Sequence, residues 1–298
     1  MFKRSVFSAL VILGALAAGV VQAVEEEVKD SMRITRDIPY ADPSPAKPGL
    51  NQLDIYRPKD GENLPVLIFI HGGSWRYGDK RFVSDKPAFF TSQKFVFASV
   101  NYRLAPEVTH PVYVQDVAKA IAWLQAHVAE YGGDPKRMVV MGHSSGAHLA
   151  ALVATDDRYL QEAGSGLDAL RGVVLLDGGG YDIPKMANSG EPFAKGRYEK
   201  AFTDDAAVWK DASPITYVAP DKGIPPFLLV HAGKRQASAD QAKEFAAALQ
   251  GAGVRAEVFH NPDRNHVTLN SAIGKDGDAT TKAILSFANS AVNPAPSE

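Results

Sequence analysis

Arg137-Met138-Val139-Val140-Met141-Gly142-His143-Ser144-Ser145-Gly146-Ala147-His148-Leu149-Ala150-Ala151-Leu152-Val153-Ala154 is the stretch whose reading decides the fold. Arg137–Met141 is mostly apolar and reads as a buried parallel strand. Ala147–Ala154 reads as a helix. Strand, G-x-S-x-G and helix in that order are what a nucleophile elbow requires. A serine at so sharp a turn sits in a strained backbone conformation. Gly142 and Gly146, two residues to either side of Ser144, let strand and helix approach closely. The turn aims the Ser144 hydroxyl at solvent above the carboxyl ends of the strands. The helix N-terminus beneath it favours developing negative charge.

Outward from this elbow, strand and helix signals alternate. Leu50–Tyr56 alternates apolar and polar residues and reads as an antiparallel edge strand. Val66–Ile70 is continuously apolar, as a central parallel strand should be, and Phe95–Val100 follows it. Val112–Tyr131 has helical spacing, with Val117, Ile121, Leu124 and Val128 on one face and Gly132-Gly133-Asp134-Pro135 as its stop. Gly172–Leu176, Pro226–Val230 and Ala256–His260 read as further strands. Gln241–Leu249 and Thr280–Val292 read as helices. This pattern predicts an α/β fold with a mostly parallel central sheet and helices on both faces. Asp182–Pro220 breaks the rhythm and is expected to cover the site as a partial cap.

A serine nucleophile needs a base and donors for the oxyanion. His71-Gly72-Gly73-Ser74-Trp75 directly follows a central strand. Its glycines let the Gly72 and Gly73 N–H groups turn toward the elbow, where the Ser145 N–H joins them. The base is expected late in the chain, after the last strand, and His266 on the loop Asn261–His266 fits. Each of the other seven histidines reads as a core or surface residue. Trp75, Tyr77, Tyr181, Phe193 and Trp209 are candidates for the pocket wall.

The segments His71–Trp75, Gly78-Asp79-Lys80, Asn101-Tyr102-Arg103-Leu104-Ala105-Pro106-Glu107 and Gly142–Ala150 together resemble α/β-hydrolase carboxylesterases. The likeness is to the branch of hormone-sensitive-lipase-like, feruloyl-esterase-like and kynurenine-formamidase-like enzymes, and runs from Leu53 to His266. It implies the α/β-hydrolase fold, Ser144 as nucleophile, His266 as base, and Gly72, Gly73 and Ser145 as oxyanion donors. The family usually places an aspartate shortly after the histidine that ends the penultimate strand. Here His231-Ala232-Gly233-Lys234 leads instead to Arg235. Asp177 ends the apolar strand before it, precedes Gly178-Gly179-Gly180 and has no helix to cap, an arrangement that resembles some α/β-hydrolase lipases. It is the favoured acid. Asp240 falls in Ser238-Ala239-Asp240-Gln241, which reads as a capping box. Asp182 sits in a Tyr-Asp turn and reads as structural. Asp240, Asp182 or no acid at all are the alternatives.

At the N-terminus, Lys3 and Arg4 precede an apolar stretch, Val6–Val21, and Val21-Gln22-Ala23 fits a cleavage site. Residues 1–23 are therefore expected to be a signal peptide. Residues 24–298 are expected to be one α/β-hydrolase domain, periplasmic or secreted and without a stable membrane span after cleavage. The chain has no cysteine and a formal charge of −2, and no basic run that would suggest nucleic acid. It has neither H-E-x-x-H nor a dinucleotide fingerprint, so no metal or organic cofactor is expected. The expected partner is a small-molecule ester. Hydrolysis of an arylformamide by the same residues is the alternative reaction. A binding protein on a hydrolase scaffold is the alternative class, motivated by the displaced acid.

Overall fold

The computed structural model describes residues 9–10, 25–29, 31–42, 49–190 and 194–293. The expected signal peptide, apart from Ala9 and Leu10, and its cleavage site lie outside the described residues, as does Phe193. One sheet holds ten strands among the described residues: β1 (Ala9–Leu10), β2 (Glu25–Lys29), β3 (Met32–Pro39), β4 (Gln52–Pro58), β5 (Leu64–Ile70), β6 (Val96–Val100), β7 (Gly133–His143), β8 (Leu170–Leu176), β9 (Phe227–Ala232) and β10 (Ala256–Asn261). Their spatial order is β1-β2-β3-β4-β6-β5-β7-β8-β9-β10. From β6 to β10 all neighbours run parallel, and the first four strands add antiparallel to β6.

The helices are α1 (Lys86–Ser92), α2 (Val112–His127), α3 (Ser145–Thr155), α4 (Asp157–Glu162), α5 (Ile183–Ala187), α6 (Ala194–Phe202), α7 (Ala206–Asp211), α8 (Gln236–Gly251), α9 (His266–Ser271) and α10 (Ala279–Val292). Apolar side chains of α2, α3 and α8 pack on one face of the sheet, and those of α1 and α10 on the other. All of β6 and β9 is buried, which is why these strands are mostly apolar without alternation. All eleven residues of α3 are buried as well, so the helix that carries the elbow is fixed on every side. None of the described helices is long and apolar enough to cross a membrane.

The expectations for β4 and for the start of α8 are corrected. The β4 strand is not at the edge, because β3 pairs with it on one side and β6 on the other. β2 and β3 are charged strands stitched by ion pairs, with Glu26 accepting from Arg33 at 3.2 Å and from Arg57 at 2.8 Å. The α8 helix begins at Gln236, ahead of the supposed capping box, with Arg235 at its N-cap and no side-chain cap bond there. Ser238 therefore caps nothing; its hydroxyl points inward.

The chain visits β5 and β6 on one side and then crosses to β7 on the other. The order thus reverses between β5 and β7, and ligands of open α/β sheets bind outside the strand carboxyl ends at such a point.

Candidate active site

Ser144 joins β7 to α3 with φ 56° and ψ −119°, a left-handed conformation costly for a residue with a Cβ. Its N–H donates to the Leu176 carbonyl at 3.0 Å, which ties the turn to the end of β8. The flanking glycines are required by close approach. A Cβ on Gly142 would stand 2.1 Å from the Gly146 carbonyl oxygen, and one on Gly146 would stand 2.2 Å from that of Ile70.

His266 is the first residue of α9, not part of an open loop. Asn265 caps that helix, its side chain accepting from the N–H groups of Val267 at 3.0 Å and Thr268 at 2.9 Å. The Thr268 hydroxyl accepts the Asn265 N–H in return, at 2.8 Å. His266 Nε2 stands 3.1 Å from Ser144 Oγ, and its Nδ1 stands 2.6 Å from Asp177 Oδ2. His143 supports it from behind. The His143 Nε2–H donates to the His266 carbonyl at 3.0 Å, and the two rings lie 4.7 Å apart. Burial, aided by the neighbouring His266, pushes the His143 imidazole down to about 3, so it stays neutral.

Asp177 ends β8 at φ 44°, and its N–H donates to the Val230 carbonyl at 2.7 Å. Its carboxylate accepts four hydrogen bonds. Oδ1 receives the Ala232 N–H at 3.1 Å and the Ser238 hydroxyl at 2.5 Å. Oδ2 receives His266 Nδ1–H and an Arg235 Nη1–H at 2.8 Å. Burial alone raises a carboxyl, but these hydrogen bonds and the Arg235 charge outweigh it and hold Asp177 far below the ordinary carboxylate range. Arg235 Nη1 and His266 Nδ1 lie 3.0 Å apart; both are donors, and they share Oδ2.

The glycine turn after β5 packs directly on the elbow, since a Cβ on Gly72 would stand 2.9 Å from Ser144 Cβ. Gly73 takes φ 132°, where a Cβ would strike the Tyr77 carbonyl. The N–H groups of Gly72, Gly73 and Ser145 have no acceptor among the described residues. His71 Nδ1–H donates to the Gly72 carbonyl at 2.9 Å, and its ring stacks on Tyr102.

Ser144, His266 and Asp177 are thus in contact, with Gly72, Gly73 and Ser145 beside the serine. The other two carboxylates are elsewhere. Asp240 accepts from Gln236 Nε2 at 2.7 Å, and Asp182 caps α5 by accepting the Lys185 N–H at 3.1 Å. A cavity of about 320 Å³ opens beside Ser144, under Met186, Arg197 and Tyr198 of the segment expected to form a cap. A second, of about 350 Å³, lies on the other side of the serine, with exposed Tyr77 and Phe82 at its wall. Trp75 lines the first cavity. Tyr181 is buried against Phe245, and Trp209 is buried with its Nε1–H on the Thr203 carbonyl. Sequence reading missed Ser238, His143 and Arg197. Of these only His143, inside the elbow, carried a local signal.

The chain belongs to the BD-FAE family, whose model matches residues 53–249. It is 35% identical to Esterase LipQ of Mycobacterium tuberculosis over 85% of its own length and 61% of that protein's. It is 34% identical to Esterase LipC of the same organism over 66% of its length and 52% of that protein's. The chain therefore spans little more than half the length of these curated relatives. Among solved structures it is similar to Esterase B from Lactobacillus rhamnosus HN001, with a TM-score of 0.71, 20% identity, and coverage of 90% of this chain and 88% of that one. The fold is that of the α/β-hydrolases.

Proposed function

We propose that this protein is a carboxylic ester hydrolase that works through an acyl-enzyme on Ser144. The observation that carries the reading is the unbroken line of contacts from Ser144 Oγ through His266 to Asp177. Ser144 Oγ attacks the acyl carbonyl while His266 Nε2 takes its proton. Asp177 holds Nδ1–H, which fixes the tautomer and offsets the imidazolium charge. The N–H groups of Gly72, Gly73 and Ser145 receive the oxyanion. His266 then gives its proton to the leaving alcohol, and water cleaves the acyl-enzyme by the same route in reverse. The esterase names of the two mycobacterial relatives support this chemistry. With Asp177 on His266, the motive for a non-catalytic binding protein falls away.

Small esters are the proposed substrates, since the two flanking cavities are of modest volume. Export to the periplasm or beyond is part of the proposal and rests on the Val6–Val21 stretch and the site at Ala23. The test is turnover of p-nitrophenyl acetate by the purified protein. A burst followed by steady turnover, both lost in Ser144→Ala, is expected. Undiminished turnover in Ser144→Ala would overturn the assignment.

A further inference from the structure

The cavity on the cap side of Ser144 is charged in an unbalanced way. Its described lining holds two guanidinium groups, Arg197 from α6 and Arg235 from the start of α8, and a single carboxylate, Asp177. Asp177 is buried and its four hydrogen bonds already fill both oxygens, so it has nothing left for a second arginine. Arg235 spends only Nη1 on it. The Nε and Nη2 donors have no acceptor among the described residues, and the side chain is half exposed. Arg197 is exposed and has no acidic partner or hydrogen-bond acceptor among the described residues.

A guanidinium without a carboxylate in a concave site is a receptor for a planar anion, which it binds through paired, charge-assisted hydrogen bonds. Cleft walls also screen the charges less than open surface does. Arg235 has a further consequence for chemistry. It stands 3.0 Å from His266 Nδ1, so its charge opposes the imidazolium that forms when Ser144 attacks. An anion bound on the free face of Arg235 offsets that charge. The opposite cavity, with Tyr77 and Phe82, offers the other half of a substrate an apolar aromatic wall.

We propose that the cap-side cavity is an anion subsite built by Arg197 and Arg235, and that the preferred substrates are esters with a carboxylate on one of their two arms. The turnover part of this proposal rests on the ester-hydrolase reading; the binding part does not. Binding is measured by calorimetry on Ser144→Ala with uncleavable amides. One pair, p-acetamidobenzoate and its methyl ester, places the charge on the leaving arm. The other pair, glutaric acid monoanilide and its methyl ester, places it on the acyl arm. In one pair the carboxylate is expected to bind about tenfold or more tighter than its methyl ester. Arg197→Glu on the same background is expected to abolish or reverse that preference. Equal or weaker binding of the carboxylate in both pairs, or a preference that survives Arg197→Glu, would overturn the subsite. The corresponding esters, p-acetoxybenzoate and p-nitrophenyl hydrogen glutarate with their methyl esters, are then compared by kcat/KM on the native protein. Preference for the carboxylate member in the pair that binds is the expected result. Faster turnover of the neutral members would overturn the substrate class and leave the hydrolase reading intact. A binding preference with no turnover of any ester would overturn the hydrolase reading and leave the anion subsite intact.

Discussion

Asp177 meets three side-chain donors and one backbone N–H at the mouth of the sheet, and in the proposed mechanism only its contact with His266 bears on catalysis directly. Asp177→Asn keeps the size of the side chain but offers His266 an amide in place of a charge. Turnover of p-nitrophenyl acetate is expected to fall roughly ten-thousand-fold, with the protein still folded. Asp240→Asn and Asp182→Asn, whose carboxylates serve Gln236 and the α5 cap, are expected to retain turnover of the native order. A loss in Asp240→Asn equal to that in Asp177→Asn would contradict this assignment of the acid. Gly142 makes a second test. A Cβ there would overlap the Gly146 carbonyl, so Gly142→Ala must push strand and helix apart. The expected cost is about 3 kcal/mol or more, read as a drop in the urea midpoint. A midpoint at the native value would mean that the elbow tolerates a wider turn than the one described.

Among the elements, α9 is short, and its position depends on one cap. Asn265→Ala removes the acceptor for two N–H groups and should cost about 1 kcal/mol locally. Because His266 is the first residue of that helix, kcat is expected to fall about ten- to a hundredfold while KM stays nearly constant. An unchanged kcat beside a lowered midpoint would mean that His143, through its bond to the His266 carbonyl, holds the imidazole by itself. Element by element, the sequence was uneven in what it disclosed. The central strands were legible because burial on both faces leaves mostly apolar residues. Charged β2 and β3 were not, because the ladder and the Arg33, Arg57 and Glu26 ion pairs hold them. The place of Asp177 at the sheet mouth, where it meets His266, was legible from its position after an apolar strand with no helix to cap. Its other partners were not. Arg235 and Ser238 reach it across the ends of β8 and β9, a meeting that only the folded sheet creates. Ser238 in particular misled, since its spacing to Gln241 imitates a cap while its hydroxyl points inward.

Over the whole molecule, buried histidines set the response to acid: burial lowers His71, His110 and His231, and lowers His143 and His148 furthest. Burial lowers both His143 and His148 from the ordinary 6.5 to about 3, and His148 is fully enclosed between the Trp75 Nε1–H and the Ala212 carbonyl. The folded protein therefore keeps them neutral while the unfolded chain takes up protons below 6.5. Their contribution is intact above that value and is lost as pH falls toward 3, with a limiting slope of about 1.4 kcal/mol per pH unit for each group. The urea midpoint is expected to decline steadily from pH 7 to pH 5, before the depressed carboxyl of Asp177 begins to matter. A flat midpoint over that window would contradict the enclosure of these rings. His148 also couples the whole to the site, since Trp75 on the glycine turn and Ala212 beyond α7 meet on its two nitrogens.

The central claim is that Ser144 is a nucleophile activated by His266 and Asp177, and its most direct test is covalent. The purified protein is treated with a fluorophosphonate, and the adduct is counted by intact mass and located by peptide mapping. One adduct per chain, on Ser144, formed as p-nitrophenyl acetate turnover disappears, is the predicted result. A folded protein that leaves Ser144 unlabelled, or that keeps its turnover once Ser144 is fully labelled, would contradict it.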